Sequence, residues 1–390
     1  MRHFRYAAAV LMASMLMAAC GGGGSSQSPK IGFSNLVSFG DSLSDVGTYR
    51  VGAVAALGGG TYSVNSSSAK NWTQLLAAQL GLGVPCPAQT GLDGDATKGF
   101  SVPVQNFTSC RNYAQGGSRV AHPYGPGNKN LGGDNATLGQ LTVPLVTQVG
   151  NHLTVVGGSF SGTELVTVMG GGNDLFMQFG ALDVLSNSPA SFSAYATGVA
   201  GWSSDDVTFV QTAAGSGAAA ATAAAAPIMV AQMAAAGTAL ANLVKTQIVA
   251  KGAKYVLVLS IPNMSKTPFA NGLGSAALSG IVDSMTTAFN AALQAGLTGT
   301  AGVKFADVYS TNTDQINNPG QYGLSNVTSP ACDLTVARNP LKSSLVCSAN
   351  NLVSGDVSAY LFADTVHPTP YGYKLLSQEA AKHLAIAGWL

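Results

Sequence analysis

The sequence predicts an α/β sandwich built on a mainly parallel sheet, and three observations point there. First, 46% of the 390 residues are hydrophobic, which is enough to build a large core. Second, four short apolar runs stop abruptly at glycine, proline or polar residues, as buried strands do. Third, these runs alternate with segments that carry helix-capping signals, and strand–helix alternation is the pattern of a parallel sheet covered by helices.

The strand candidates are Leu36 to Phe39, ended by Gly40; Leu165 to Met169, ended by three glycines; Tyr255 to Ile261, ended by Pro262; and Val303 to Tyr309, which runs into polar turn residues. Asn71 is placed to cap a helix bearing Trp72, Leu75, Leu76 and Leu80. Thr369 and Pro370 occupy the N-cap and first helical positions before Leu375, Leu376 and Leu384. Ile228, Met229, Met233, Leu240 and Leu243 form one apolar helical face running towards Lys251. Phe176 to Ala226 fits the alternation badly, mixing Ser, Asn and Gly with an alanine run broken at Gly215 and Gly217. It reads as an insertion, a surface loop in preference to a cap over a site.

Residues 1–19 place Arg2 and Arg5 ahead of an apolar run too short to span a bilayer, the pattern of a secretion signal. The run ends Ala18-Ala19-Cys20 and is followed by GGGGSSQS. It resembles a bacterial lipoprotein signal, which implies a lipidated Cys20 on a flexible tether over 20–34 and an outer-membrane or periplasmic lipoprotein; an ordinary secretory leader is the alternative. A single domain, expected to be monomeric, then fills 35–390. Net charge is +1, and without Arg2 and Arg5 the 18 basic residues become 16 against 17 acidic ones, which excludes a basic nucleic-acid groove. The other four cysteines allow three pairings in an oxidising compartment. The local one, Cys86–Cys110 with Cys332–Cys347, closes loops of 24 and 15 residues, each stabilising by about 3 kcal/mol in the chain-entropy model. With no C-x-x-C or H-x-x-x-H, no metal site is expected.

Four patches carry chemistry. Gly40-Asp41-Ser42-Leu43 follows the first strand and delivers Ser42 to the C-terminal edge of the sheet, near the start of the next helix, where N–H groups favour developing negative charge. Asp364 precedes His367 by three residues. The carboxylate can therefore fix one ring nitrogen and leave the other to take a proton from Ser42, and no other histidine has such a local partner. Gly172-Asn173-Asp174 ends another strand and offers the Asn173 amide as an uncharged oxyanion donor. A glycine of Asn112 to Gly117 could contribute a backbone N–H.

The four blocks, in the chain order Gly40 to Leu43, Asn112 to Gly117, Gly172 to Asp174 and Asp364 to His367, resemble the GDSL family of the SGNH hydrolase superfamily, and the run Asn318 to Gly323 with Asn326 to Thr328 is similar to its bacterial phospholipase and plant branch. The resemblance implies a three-layer α/β/α fold and a cofactor-free serine esterase or lipase. Ser42 would be its nucleophile and His367 its base, supported by Asp364, with an oxyanion hole of Ser42, Gly117 and Asn173. Gly116, adjacent to Gly117, leaves the backbone donor open by one residue. Apolar acyl or lipid esters are the expected substrates. The alternatives are carbohydrate O-acetyl esters, or a non-catalytic surface lipoprotein that keeps the fold.

Overall fold

The computed structural model describes residues 31–390, so the expected leader and the lipidation site at Cys20 lie outside the described residues. The elements that matter to the site are β1 (Leu36–Gly40), α1 (Trp72–Gln79), β2 (Gln89–Asp93), β3 (Ser101–Asn106), α2 (Leu145–Val155), β4 (Leu165–Met169), α3 (Gly172–Asn187), α4 (Ala218–Leu243), β5 (Tyr255–Leu259), α5 (Ala276–Leu297), β6 (Val303–Ala306), α6 (Val308–Asn317) and α7 (Pro370–Ile386).

β1, β4, β5 and β6 form a parallel sheet in that spatial order, with Leu36 opposite Leu165, Leu165 opposite Tyr255 and Val256 opposite Val303. Every residue of β1 and β4 is buried, which explains why these strands read as continuous apolar runs. Successive side chains point to opposite faces. Val37, Phe39, Val166, Val168, Val256 and Val258 pack with residues of α2, α4 and α5 in one cluster. Leu36, Leu165, Met169, Leu257 and Leu259 pack with Trp72 and Leu76 of α1 and Tyr373, Leu376 and Leu384 of α7 in another. The result is the three-layer α/β/α sandwich. Asn71 and Thr369 cap α1 and α7 as the sequence predicts, each accepting backbone N–H groups of the first turn.

The structure corrects two expectations and adds one element. The strand expected over Val303 to Tyr309 stops at Ala306, because the Asp307 side chain accepts from Ser310 N–H and starts α6. Phe176 to Ala226 is not a surface loop but helical along most of its length: α3, then Pro189–Tyr195, a π-helical turn over 196–200 and Ser204–Ala214, with α4 taking up its end. Phe192 and Trp202 are buried and meet edge to face at 5.8 Å, while Trp202 Nε1–H donates to Gln178 Oε1 at 2.6 Å. Two aromatic anchors and a buried amide pair thus hold a segment whose small residues suggested turns. Gly217, at φ +109°, marks the start of α4, so the break in the alanine run is a helix boundary. Finally, a hairpin of β2 and β3, absent from the sequence reading, sits above a disulfide between Cys86 and Cys110. Cys332 pairs with Cys347, so both bridges are the local ones.

Candidate active site

Ser42 stands in the turn leaving β1. Gly40 is required there because a Cβ would lie 2.3 Å from the Met169 carbonyl of neighbouring β4. Gln148 of α2 grips Gly40 from both sides: its Oε1 accepts from Gly40 N–H at 2.9 Å and its Nε2–H donates to Gly40 O at 2.8 Å. No helix follows Ser42 directly, contrary to the sequence expectation. The chain turns through residues 41–50, with Asp41 Oδ1 accepting from Leu43 N–H at 3.0 Å, and Ser42 N–H has no acceptor among the described residues. The local positive field is therefore that of individual amides, not of a helix end. Asp41 is buried, and burial pushes its carboxyl up to about 7 against the lowering bond from Leu43.

The Asn112–Gly117 block is laid along the free edge of β1. Ser38 N–H donates to Arg111 O at 3.0 Å, Tyr113 N–H to Ser38 O at 2.8 Å and Gln115 N–H to Gly40 O at 3.2 Å. This brings Gly117 beside Ser42, and both line one cleft. The two glycines differ in their bonding. Gly116 N–H is occupied, donating to buried Asp45 Oδ2 at 3.0 Å, whereas Gly117 N–H has no acceptor among the described residues. Gly117 holds φ +79°, and a Cβ would meet Pro126 O at 2.2 Å. Asn173, on the first turn of α3, donates one amide hydrogen to Ser118 O at 2.8 Å, which leaves its second without an acceptor among the described residues. The adjacent Asp174 is buried, with Oδ1 paired to Arg119 Nε at 3.0 Å and Oδ2 accepting from Val120 N–H at 3.0 Å. One ion pair thus ties the turn carrying Gly117 to the helix carrying Asn173.

His367 closes the site from the loop before α7. Its Nε2 lies 2.8 Å from Ser42 Oγ, and its Nδ1 lies 2.9 and 2.8 Å from the two oxygens of Asp364. Asp364 is buried and also accepts from Ser344 N–H at 2.8 Å, Val366 N–H at 2.9 Å and His367 N–H at 2.8 Å. Burial alone would raise its carboxyl, but His367 and these N–H groups outweigh it and hold Asp364 well below the usual carboxylate range. Ser344 lies within the loop that Cys332–Cys347 closes, and Cys332 N–H donates to Ala363 O at 2.9 Å. That disulfide therefore braces the carboxylate.

Sequence reasoning missed Asp45, Tyr62, Arg119 and Gln148. The Tyr62 ring lies 4.8 Å from the His367 ring, tilted by 35°, and its hydroxyl accepts from Gln140 Nε2–H. Only Arg119 carried a local signal, a lone charge directly after the glycine block. The others act through contacts distant in sequence. Among the described residues no three His, Cys, Asp or Glu side chains gather as a metal ion would require.

A profile of the GDSL-like lipase/acylhydrolase family matches residues 36–380. Curated relatives include two GDSL esterase/lipases of Arabidopsis thaliana. One is 30% identical over 97 residues, covering 25% of each chain; the other is 33% identical over 76 residues, covering 19% of this chain and 18% of the relative. The matches span a quarter or less of those relatives' length. An extracellular lipase from Streptomyces rimosus has a crystal structure similar at a TM-score of 0.40 and 18% identity, covering 90% of this chain and 99% of that one.

Proposed function

The chain belongs to the GDSL-like lipase/acylhydrolase family, and from that premise we propose that it is a serine ester hydrolase with Ser42 as nucleophile. The observation that carries this reading is the continuous relay from Ser42 Oγ through His367 to Asp364, every link at 2.8–2.9 Å. Ser42 Oγ attacks the ester carbonyl as His367 Nε2 takes its proton. Asp364, kept ionised, holds the ring tautomer and stabilises the imidazolium. Charge on the tetrahedral oxygen is met by Ser42 N–H, Gly117 N–H and the free Asn173 amide hydrogen. His367 then protonates the leaving alcohol, and water repeats the sequence on the acyl-Ser42.

An apolar pocket opening at Ser42 supports an apolar acyl group in preference to an acetylated carbohydrate. Two disulfides fit an oxidising, extracytoplasmic compartment; we propose in addition that Cys20 carries a lipid anchor. The test of function is hydrolysis of p-nitrophenyl butyrate by purified protein beside Ser42→Ala. Turnover lost in the variant supports the reading. Equal turnover in the two proteins, or none in either, refutes it.

A further inference from the structure

Two hollows meet at Ser42, Asn173, Val366 and His367. One is a broad cleft of about 800 Å³ on the Gly117 side. The other is narrow, about 70 Å³, and is walled by Leu43, Ile261, Met264, Val308, Phe362 and Leu376. Its course follows from the sheet. Ser42 leaves β1, Asn173 follows β4, Ile261 and Met264 follow β5, and Val308 opens the helix after β6, in the spatial order of the strands. With neighbouring strands roughly 4.8 Å apart, the pocket runs about 14 Å across the C-terminal edge, away from the nucleophile.

The chemistry of the wall changes along that path. The far end is lined by Thr311, Asn312 and Gln315 of α6 and Glu379 of α7. Asn312 is only 9% exposed, yet its Oδ1 has no hydrogen-bond partner among the described residues, and its Nδ2 reaches Gln315 Oε1 only at 3.5 Å. Glu379, 7% exposed, is held by Lys382 Nζ at 2.7 Å and His383 Nε2 at 3.0 Å. Despite burial, those partners hold its carboxyl down to about 2, so it is charged at every working pH. An alkyl tail that stops short meets only the apolar wall. One that reaches the far end sets apolar surface against an unpartnered carbonyl and a charged carboxylate, neither of which it can hydrogen-bond.

We propose that the narrow pocket holds the acyl chain of the ester, and that Asn312, Gln315 and Glu379 at its far end set an upper limit on that chain's length. The broad cleft takes the alcohol and restricts it little. The substrate class is thus esters of short to medium acyl chains, whatever the size of the alcohol. The inference rests on Ser42 being the nucleophile.

The test is kcat/KM on p-nitrophenyl esters from acetate to palmitate at fixed detergent, for the native protein, Asn312→Leu and Thr311→Phe. The native profile should peak between butyrate and octanoate and fall about tenfold or more by palmitate. Asn312→Leu removes the unpaired carbonyl and should raise the palmitate-to-butyrate ratio about fivefold. Thr311→Phe plugs the far half and should move the peak to shorter chains. A flat native profile, or a profile unmoved in both variants, overturns the length limit while leaving the ester hydrolase standing. No turnover of any ester by protein that melts cooperatively overturns both.

Discussion

Along the C-terminal edge of the sheet, buried polar side chains hold the backbone in place. Gln148 grips Gly40, Asp45 takes Gly116 N–H, Asp174 takes Val120 N–H and Asp364 takes Ser344 N–H. The helical layer of residues 172–249 is held differently. Met229, Met233 and Leu240 of α4 are fully buried, and Gly237 lets α4 approach α5 so closely that a Cβ would lie 2.3 Å from Phe289 O. Directional bonds specify the edge, and volume specifies the layer. Substitutions of the reacting groups that this frame presents at the edge should remove rate and spare stability, while substitutions in the layer should do the reverse.

The largest effect expected is at the relay. Ser42→Ala and His367→Ala should each lower kcat by roughly a thousandfold or more, the double variant should be scarcely worse, and thermal melts should hardly move. Next comes Asn173. Asn173→Ala should lower kcat by about a hundredfold with little change in KM, and Asn173→Asp should do no better, because a carboxylate cannot donate. A melting point lowered by several degrees with near-normal turnover would instead make Asn173 a structural residue and blur the distinction between the two regions.

Tyr62 sharpens the comparison, since it is apolar contact at the polar edge. Its ring lies against the His367 imidazole, and a proton taken up there in the proposed mechanism would gain a cation–π contact, so Tyr62→Leu should lower kcat/KM about tenfold. Tyr62→Phe, which keeps the ring, should retain most of the rate. In the layer, Met233→Ala should lower stability by about 3 kcal/mol through the cavity it opens, read by denaturant melts, with kcat unchanged.

The last effect expected is a slope. Asp41 holds its proton in the folded protein up to about 7 but ionises near 3.8 in the unfolded chain. The folded state therefore carries the extra proton, and the contribution of Asp41 to stability declines as pH rises across that window, levelling off above it. Asp41→Asn should flatten this part of the stability–pH curve; an identical slope in both proteins would count against it.

The same contrast explains what could be read from the sequence. Ser42, Asn173 and the Asp364–His367 pair announce themselves because their chemistry lies within a few residues of chain. β1, β4 and β5 are legible because full burial leaves an apolar run with a glycine or proline stop. That Gly116 N–H is occupied was not legible, for its acceptor, Asp45, lies 71 residues away. Nor were the helices of residues 176–226, whose alanines and glycines carry little amphipathic period and whose Phe192 and Trp202 anchors look like isolated aromatics, although the apolar face of α4 from Ile228 to Leu243 was readable. β6 was over-extended because a cap, Asp307, sits directly after its last residue.

That Ser42 is the nucleophile is tested most directly by stoichiometric labelling with a fluorophosphonate followed by peptide mapping. One adduct per chain on Ser42, formed in step with loss of ester hydrolysis and absent from Ser42→Ala, is the predicted result. Hydrolysis that persists in the unlabelled chain of Ser42→Ala, or an adduct on another residue that tracks inactivation, would contradict it.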